Sequence, residues 1–152
     1  MKPFLTLTLT AALLATPALA DNHAMQETDH AITYAFEGDF DDATFAVETA
    51  IVGKGLVIDY VSHTGAMLER TKADVGSDVK IYDAADIFLF CSAQISREVM
   101  EADPMNISFC PYGIFVTDKD GEVRVGYSKY PEGDMQKVQA LLDEIAQEAV
   151  AN

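Results

Sequence analysis

Residues 86–118 read DIFLFCSAQISREVMEADPMNISFCPYGIFVTD, and the fold turns on how this stretch is divided. Ile87-Phe88-Leu89-Phe90-Cys91 is an unbroken apolar run, too short for a freestanding helix and aromatic enough for a strand covered on both faces. We place it at the centre of a sheet. Ser92 then opens a helix in which Ile95, Val99 and Ala102 face inward and Arg97, Glu98 and Glu101 outward, and Pro104 ends it. Phe109-Cys110-Pro111-Tyr112-Gly113-Ile114-Phe115-Val116 returns to strand character, so a cysteine stands at each junction. No catalytic motif lies in the stretch.

Working outward, Asp120-Gly121 within residues 117–122 is a hairpin signal that joins Ile114 and Val116 to Val123, Val125 and Tyr127. Met135, Val138, Leu141, Leu142, Ile145 and Ala149 then mark an amphipathic helix that starts near Asp134 and packs on the sheet. Upstream, residues 56–61 form a strand, with Leu56, Ile58 and Tyr60 on one side and Val57, Asp59 and Val61 on the other. His63 ends it, and Thr64 is placed to cap a short helix carrying Met67, Leu68, Thr71 and Val75. Residues 76–85 are expected to pack down through Val79, Ile81 and Tyr82 as a helical turn. Before that strand, Asp39 caps a helix whose first turn holds Asp41 and Asp42. Phe40, Ala43, Val47, Ala50 and Ile51 give this helix its sheet-facing side, and Gly53 and Gly55 stop it. Ile32, Tyr34 and Phe36 alternate with Thr33, Ala35 and Glu37 as the first strand.

Residues 1–20 carry one basic residue, an apolar run and Ala18-Leu19-Ala20, the pattern of a secretory signal cut after Ala20. Residues 21–30 lack hydrophobic periodicity and are expected to form a flexible tail holding His23 and His30. The expected location is therefore periplasmic or secreted, with no membrane insertion after cleavage. With 152 residues, 49% of them hydrophobic, the chain builds one core, which we assign to residues 31–150. The net charge of −15 disfavours nucleic acid and anionic lipid as partners.

Two chemistries remain open at the cysteines. Cys91 precedes a helix N-terminus, where partial positive charge favours a reactive thiolate, while the alternatives are a buried thiol or half of a disulfide. His63 and Met67, four residues apart, would complete a soft-metal set with Cys91 and Cys110 suited to Cu(I), with Met100 or Met105 as further thioethers. The competing reading of His63 is a strand-end histidine bonded to backbone beside a core methionine. Three histidines in the whole chain yield no nucleophile, base and acid set, so a noncatalytic protein without a cofactor is the favoured reading.

The chain resembles the bacterial domain of unknown function 302 family (DUF302). The resemblance rests on the Phe90-Cys91-Ser92 turn, the Asp103-Pro104 helix stop, Phe109-Cys110-Pro111-Tyr112 leading into Ile114-Phe115-Val116, and the helix, glycine and Leu56 step upstream. It implies an α+β single domain with a mostly antiparallel sheet of about five strands, a β-α-β(4)-α core of TATA-binding-protein-like fold with short inserted helices, and homodimers. It implies no reaction, and DNA binding does not follow from the fold. A parallel crossover between the two cysteine-bearing strands would hold the sulfurs apart. The antiparallel pairing implied by the family brings them together, and export with an even cysteine count favours a structural disulfide between Cys91 and Cys110. The expected function is thus an exported binding and dimerising module for an unknown small ligand or protein partner. The alternative is a periplasmic thiol-redox or copper protein using Cys91, Cys110, His63 and Met67.

Overall fold

The computed structural model describes residues 24–151, so the expected signal sequence, the expected cut after Ala20, and His23 lie outside the described residues. Six strands form one fully antiparallel sheet: β1 (Met25–Glu27), β2 (Ala31–Ala35), β3 (Ile58–Ser62), β4 (Ala84–Phe90), β5 (Tyr112–Lys119) and β6 (Glu122–Ser128). Their spatial order is β1-β2-β6-β5-β4-β3. Helices α1 (Phe40–Gly53), α2 (Thr64–Thr71), α3 (Ala93–Ala102) and α4 (Gln136–Ala151) lie between or after the strands. Removing β1 and the short inserts leaves β-α-β(4)-α, the expected core.

The strand pattern selects one face for burial. Phe88 and Phe90, Tyr112, Ile114 and Val116, and Val123, Val125 and Tyr127 are opposed across β4, β5 and β6 and are all buried. Upon them pack Ala43, Val47, Ala50 and Ile51 of α1 and Val138, Leu142, Ile145 and Ala149 of α4. Asp39 caps α1 by accepting from the Asp42 amide, and Ser92 caps α3 by accepting from the Ile95 amide. The β5–β6 connection is a two-residue turn in which Asp120 and Gly121 both have positive φ (56° and 79°), as a type I′ hairpin demands.

Several expectations are corrected. The sheet has six strands, because Met25–Glu27, read as tail, adds to β2 as a sixth. Exposed along its whole length and only three residues long, it has no hydrophobic alternation to announce it. Thr64 is the first helical residue of α2 and not its cap, and its hydroxyl lies 3.2 Å from that of Ser62. Residues 77–83 contain no helical turn, and Val79 and Ile81 are exposed while Tyr82 alone is half-buried. Beyond Asp103, which caps it through the Met105 amide, an unforeseen 3-10 helix spans Pro104–Phe109.

The start of α2 sits directly on β4. A Cβ added at Gly65 would lie 2.5 Å from the Ala85 amide nitrogen, with no flexible group to give way. Helix propensity alone predicts that Gly65→Ala stabilises by about 1 kcal/mol. Contact with the strand reverses that sign, and we expect a loss of about 1–3 kcal/mol in thermal or urea melts.

Candidate functional site

The antiparallel register Phe90↔Tyr112 brings the end of β4 to the start of β5. Cys91 follows the one and Cys110 precedes the other, and their Sγ atoms lie 2.7 Å apart. Both are free, half-buried thiols here. The chain between them, α3 with the 3-10 helix, forms a lobe over this end of the sheet, tied by Asn106 Nδ2 donating to the Val99 carbonyl. Ser96 Oγ lies 4.0 Å from Cys110 Sγ and 3.0 Å from the Tyr112 hydroxyl. Tyr130 meets Tyr112 edge-on and tilts against Phe109, so one side of the sulfur pair is aromatic.

These surroundings oppose thiolate chemistry at Cys91. Burial, followed by the hydrogen bond and charge of Cys110 and the negative charge of Asp59, pushes its thiol up to about 12. A backbone hydrogen bond with Tyr112 opposes them in part. Burial and the neighbouring sulfur thus work against the thiolate expected from the place before α3.

His63 is at the other end of β4. Ser62 pairs with Ile87 while Ile58 pairs with Phe90, which separates His63 from Cys91 by ~16 Å of strand. The proposed Cu(I) set of Cys91, Cys110, His63 and Met67 is not assembled, and among the described residues no group of three or more His, Cys, Asp or Glu is placed to hold a metal. The other reading of His63 is corrected too. Its Nδ1 lies 2.9 and 3.0 Å from the Asp86 carboxylate oxygens, and Met67 is partly exposed rather than core. His63 itself is largely exposed, so the pair faces solvent. His30 sits just before β2, its carbonyl accepting from the Lys129 amide.

A polar cluster missed by the sequence reading joins α4 to the sheet. Tyr34 and Tyr127, diagonal neighbours on the core face of β2 and β6, each donate a 2.5 Å hydrogen bond to Asp143 Oδ1. Gln147 Nε2 donates to Asp143 Oδ2 at 2.8 Å and to the Tyr34 hydroxyl at 3.3 Å. One turn before Asp143, Gln139 accepts from the Tyr130 amide, and Gln136 donates to the Tyr130 and Pro131 carbonyls. The signal was the four-residue spacing of Gln139, Asp143 and Gln147 along the border of the apolar face of α4.

Tyr34, Tyr112, Tyr127 and Tyr130 are all held above the ordinary tyrosine value of 10.0, burial being the first cause for each; Tyr130 reaches about 12. Because the folded-state values exceed the unfolded one, this stabilisation is complete below about pH 10 and disappears as pH climbs through the folded values. Melting temperature should thus fall steeply above pH 10, and Tyr127→Phe should flatten that fall. Tyrosinate absorbance appearing for these four residues near pH 10 in still-folded protein would contradict the assignment.

The family model for the domain of unknown function DUF302 matches residues 32–152. No curated protein matches the chain. Among solved structures, the crystal structure of an uncharacterized conserved DUF302 protein from Bacillus stearothermophilus aligns with a TM-score of 0.59 and 16% identity, covering 82% of this chain and 95% of that one. At that identity the likeness shows a shared fold.

Proposed function

The chain belongs to the DUF302 family, whose description carries no reaction, and from that premise we propose that it is an exported, noncatalytic module that works by association, pairing with a second copy through the uncovered face of its sheet. The observation that carries this reading is the chemistry of that face. Opposite the core, β4 presents Ala85, Ile87 and Leu89, β5 presents Gly113, Phe115 and Thr117, and β6 presents Arg124, Gly126 and Ser128. Ile87, Leu89 and Phe115 are only half-buried, and Tyr60 on β3 is 64% exposed.

In a chain with 25 acidic residues, no acid occupies these nine positions, and Glu122, the acid of β6 on the same side, stands at the hairpin end bonded to Arg124. Arg124, their one charge, has a side chain only 12% exposed and is engaged by Thr33 and Glu122. A second strongly acidic copy meets no like-charge repulsion here, whereas the rest of the surface opposes it. Two-fold pairing also lets one patch serve as its own complement. The helix α2 and Tyr82 flank the face at one end, where Thr64 and Tyr82 form a cleft with Ile87, Phe115 and Thr117 that leaves room for a small apolar ligand at the interface rim.

Light scattering and sedimentation of the purified protein should report a dimer at micromolar concentration. Tyr60→Glu and Leu89→Glu should each return a folded monomer, since each puts a carboxylate into the apolar contact of both copies. A wild-type protein that stays monomeric throughout that range sinks the reading.

A further inference from the structure

The helical side of the molecule carries an apolar surface that the sheet does not use. Helix α1 buries Ala43, Val47, Ala50 and Ile51, yet its outer side sets Phe45, Thr49 and Val52 in a row at steps of four and three residues. Phe45 is 72% and Val52 56% exposed. A helix that is apolar on both sides is ordinarily covered on both. Two adjoining depressions follow the row. One runs from Phe36 past Phe45 to Val150 at the end of α4, and the other continues between Phe45 and Val52, the two sharing Phe45 and Thr49.

The rim decides the occupant. Glu37 and Asp42 line the first depression and Glu48 the second, with Asp41 exposed in the same first turn. Lys54, just past the end of α1, is engaged by both Glu144 and Glu148. An apolar floor with an acidic rim fits a segment that is apolar on one face and basic on the other. A second copy would bring further acids to the same rim.

We propose that the outer groove of α1 docks a cationic amphipathic helix of a partner protein, laid along the Phe45, Thr49 and Val52 row with its basic residues against Glu37, Asp42 and Glu48. This is independent of the pairing through the sheet, because the two surfaces lie on opposite sides of the molecule.

The test uses a fluorescent amphipathic peptide of about four helical turns, leucine on one face and lysine on the other, read by anisotropy against the purified protein. We expect saturable binding that weakens with salt, and a loss of at least tenfold in Phe45→Glu and in Val52→Glu. Those variants separate the groove from charge alone, because each adds a negative charge and a purely electrostatic attraction would tighten. Glu48→Lys should also weaken binding, while Tyr60→Glu, which addresses the sheet face, should leave it unchanged. Equal or tighter binding by Phe45→Glu overturns the proposal, as does equal binding of the same peptide with glutamate in place of lysine. Self-association abolished by Phe45→Glu would assign the groove to a second copy. Binding that appears only after residues 1–23 are removed would assign it to that segment, since Ala24, bonded to Ala35, delivers the chain beside Phe36. Either result overturns the proposal as well.

Discussion

Alanine in place of Asp143 is expected to cost about 3 kcal/mol of folding stability, because one carboxylate oxygen is the acceptor for two buried tyrosine hydroxyls. Tyr127 is 1% exposed, and the removal of its charged acceptor leaves its hydroxyl dependent on that of Tyr34. Gln147 loses one of its two acceptors at the same time and keeps the Tyr34 hydroxyl. Hydrogen bonds to a charged acceptor contribute roughly 1.5–3 kcal/mol each, and relaxation of the half-buried site returns part of that sum. Asp143→Asn keeps one carbonyl oxygen and should lose about 1 kcal/mol. Tyr127→Phe removes a donor without stranding one, so it too should be mild. The double variant Asp143→Ala with Tyr127→Phe should be more stable than the sum of the single losses predicts, since the stranded hydroxyl is gone. Strict additivity in urea melts would show that the short contacts carry no coupled energy.

This cluster illustrates what the sequence makes legible. Strand and helix identities follow from local periodicity: Ile32 and Tyr34 alternate with polar neighbours, Val138, Leu142 and Ile145 recur at helical steps, and Asp120-Gly121 fits one kind of hairpin turn. Asp143 follows Leu142 at the edge of the apolar stripe, where an acid ordinarily faces water. Only the β2–β6 pairing, which sets Tyr34 and Tyr127 on one face, gives it partners. The same holds for His63 and Asp86, neighbours through the Ser62↔Ile87 register, and for Met25–Glu27, a strand by virtue of the edge it meets. Contacts within one element are written in its own residues. Contacts between elements depend on strand order, and the family resemblance supplied that order where spacing left parallel and antiparallel pairings equally open.

Cys91→Ser is expected to lower stability by about 3 kcal/mol and the melting temperature by roughly 10 °C, measured against wild-type protein exported through an oxidising compartment. The premise is that Cys91 and Cys110, whose sulfurs lie 2.7 Å apart at the meeting ends of β4 and β5, close as a structural disulfide. Such a bond encloses a loop of about 20 residues, and in the chain-entropy model the reduced unfolded chain gains that freedom back. The lobe it encloses is otherwise held by Ser96 to Tyr112, by Val99 in the core with Ile95 and Met100 against it, by the Phe109 contact with Tyr130 and by the Glu98–Lys137 pair to α4. Loss of the bond should therefore raise amide exchange first in α3 and the 3-10 helix and leave β5 and β6 protected. Alkylation before and after reduction supplies the direct check, with no label taken up until a reductant is added. A redox catalyst would behave differently: it would exchange disulfides with a reporter and lose that activity in Cys91→Ser. The raised Cys91 thiol works against attack by that sulfur, because the attacking species is the thiolate. Wild-type protein that melts at the same temperature with and without reductant, its cysteines labelled in both, would remove the staple and leave two buried thiols whose closeness serves packing alone.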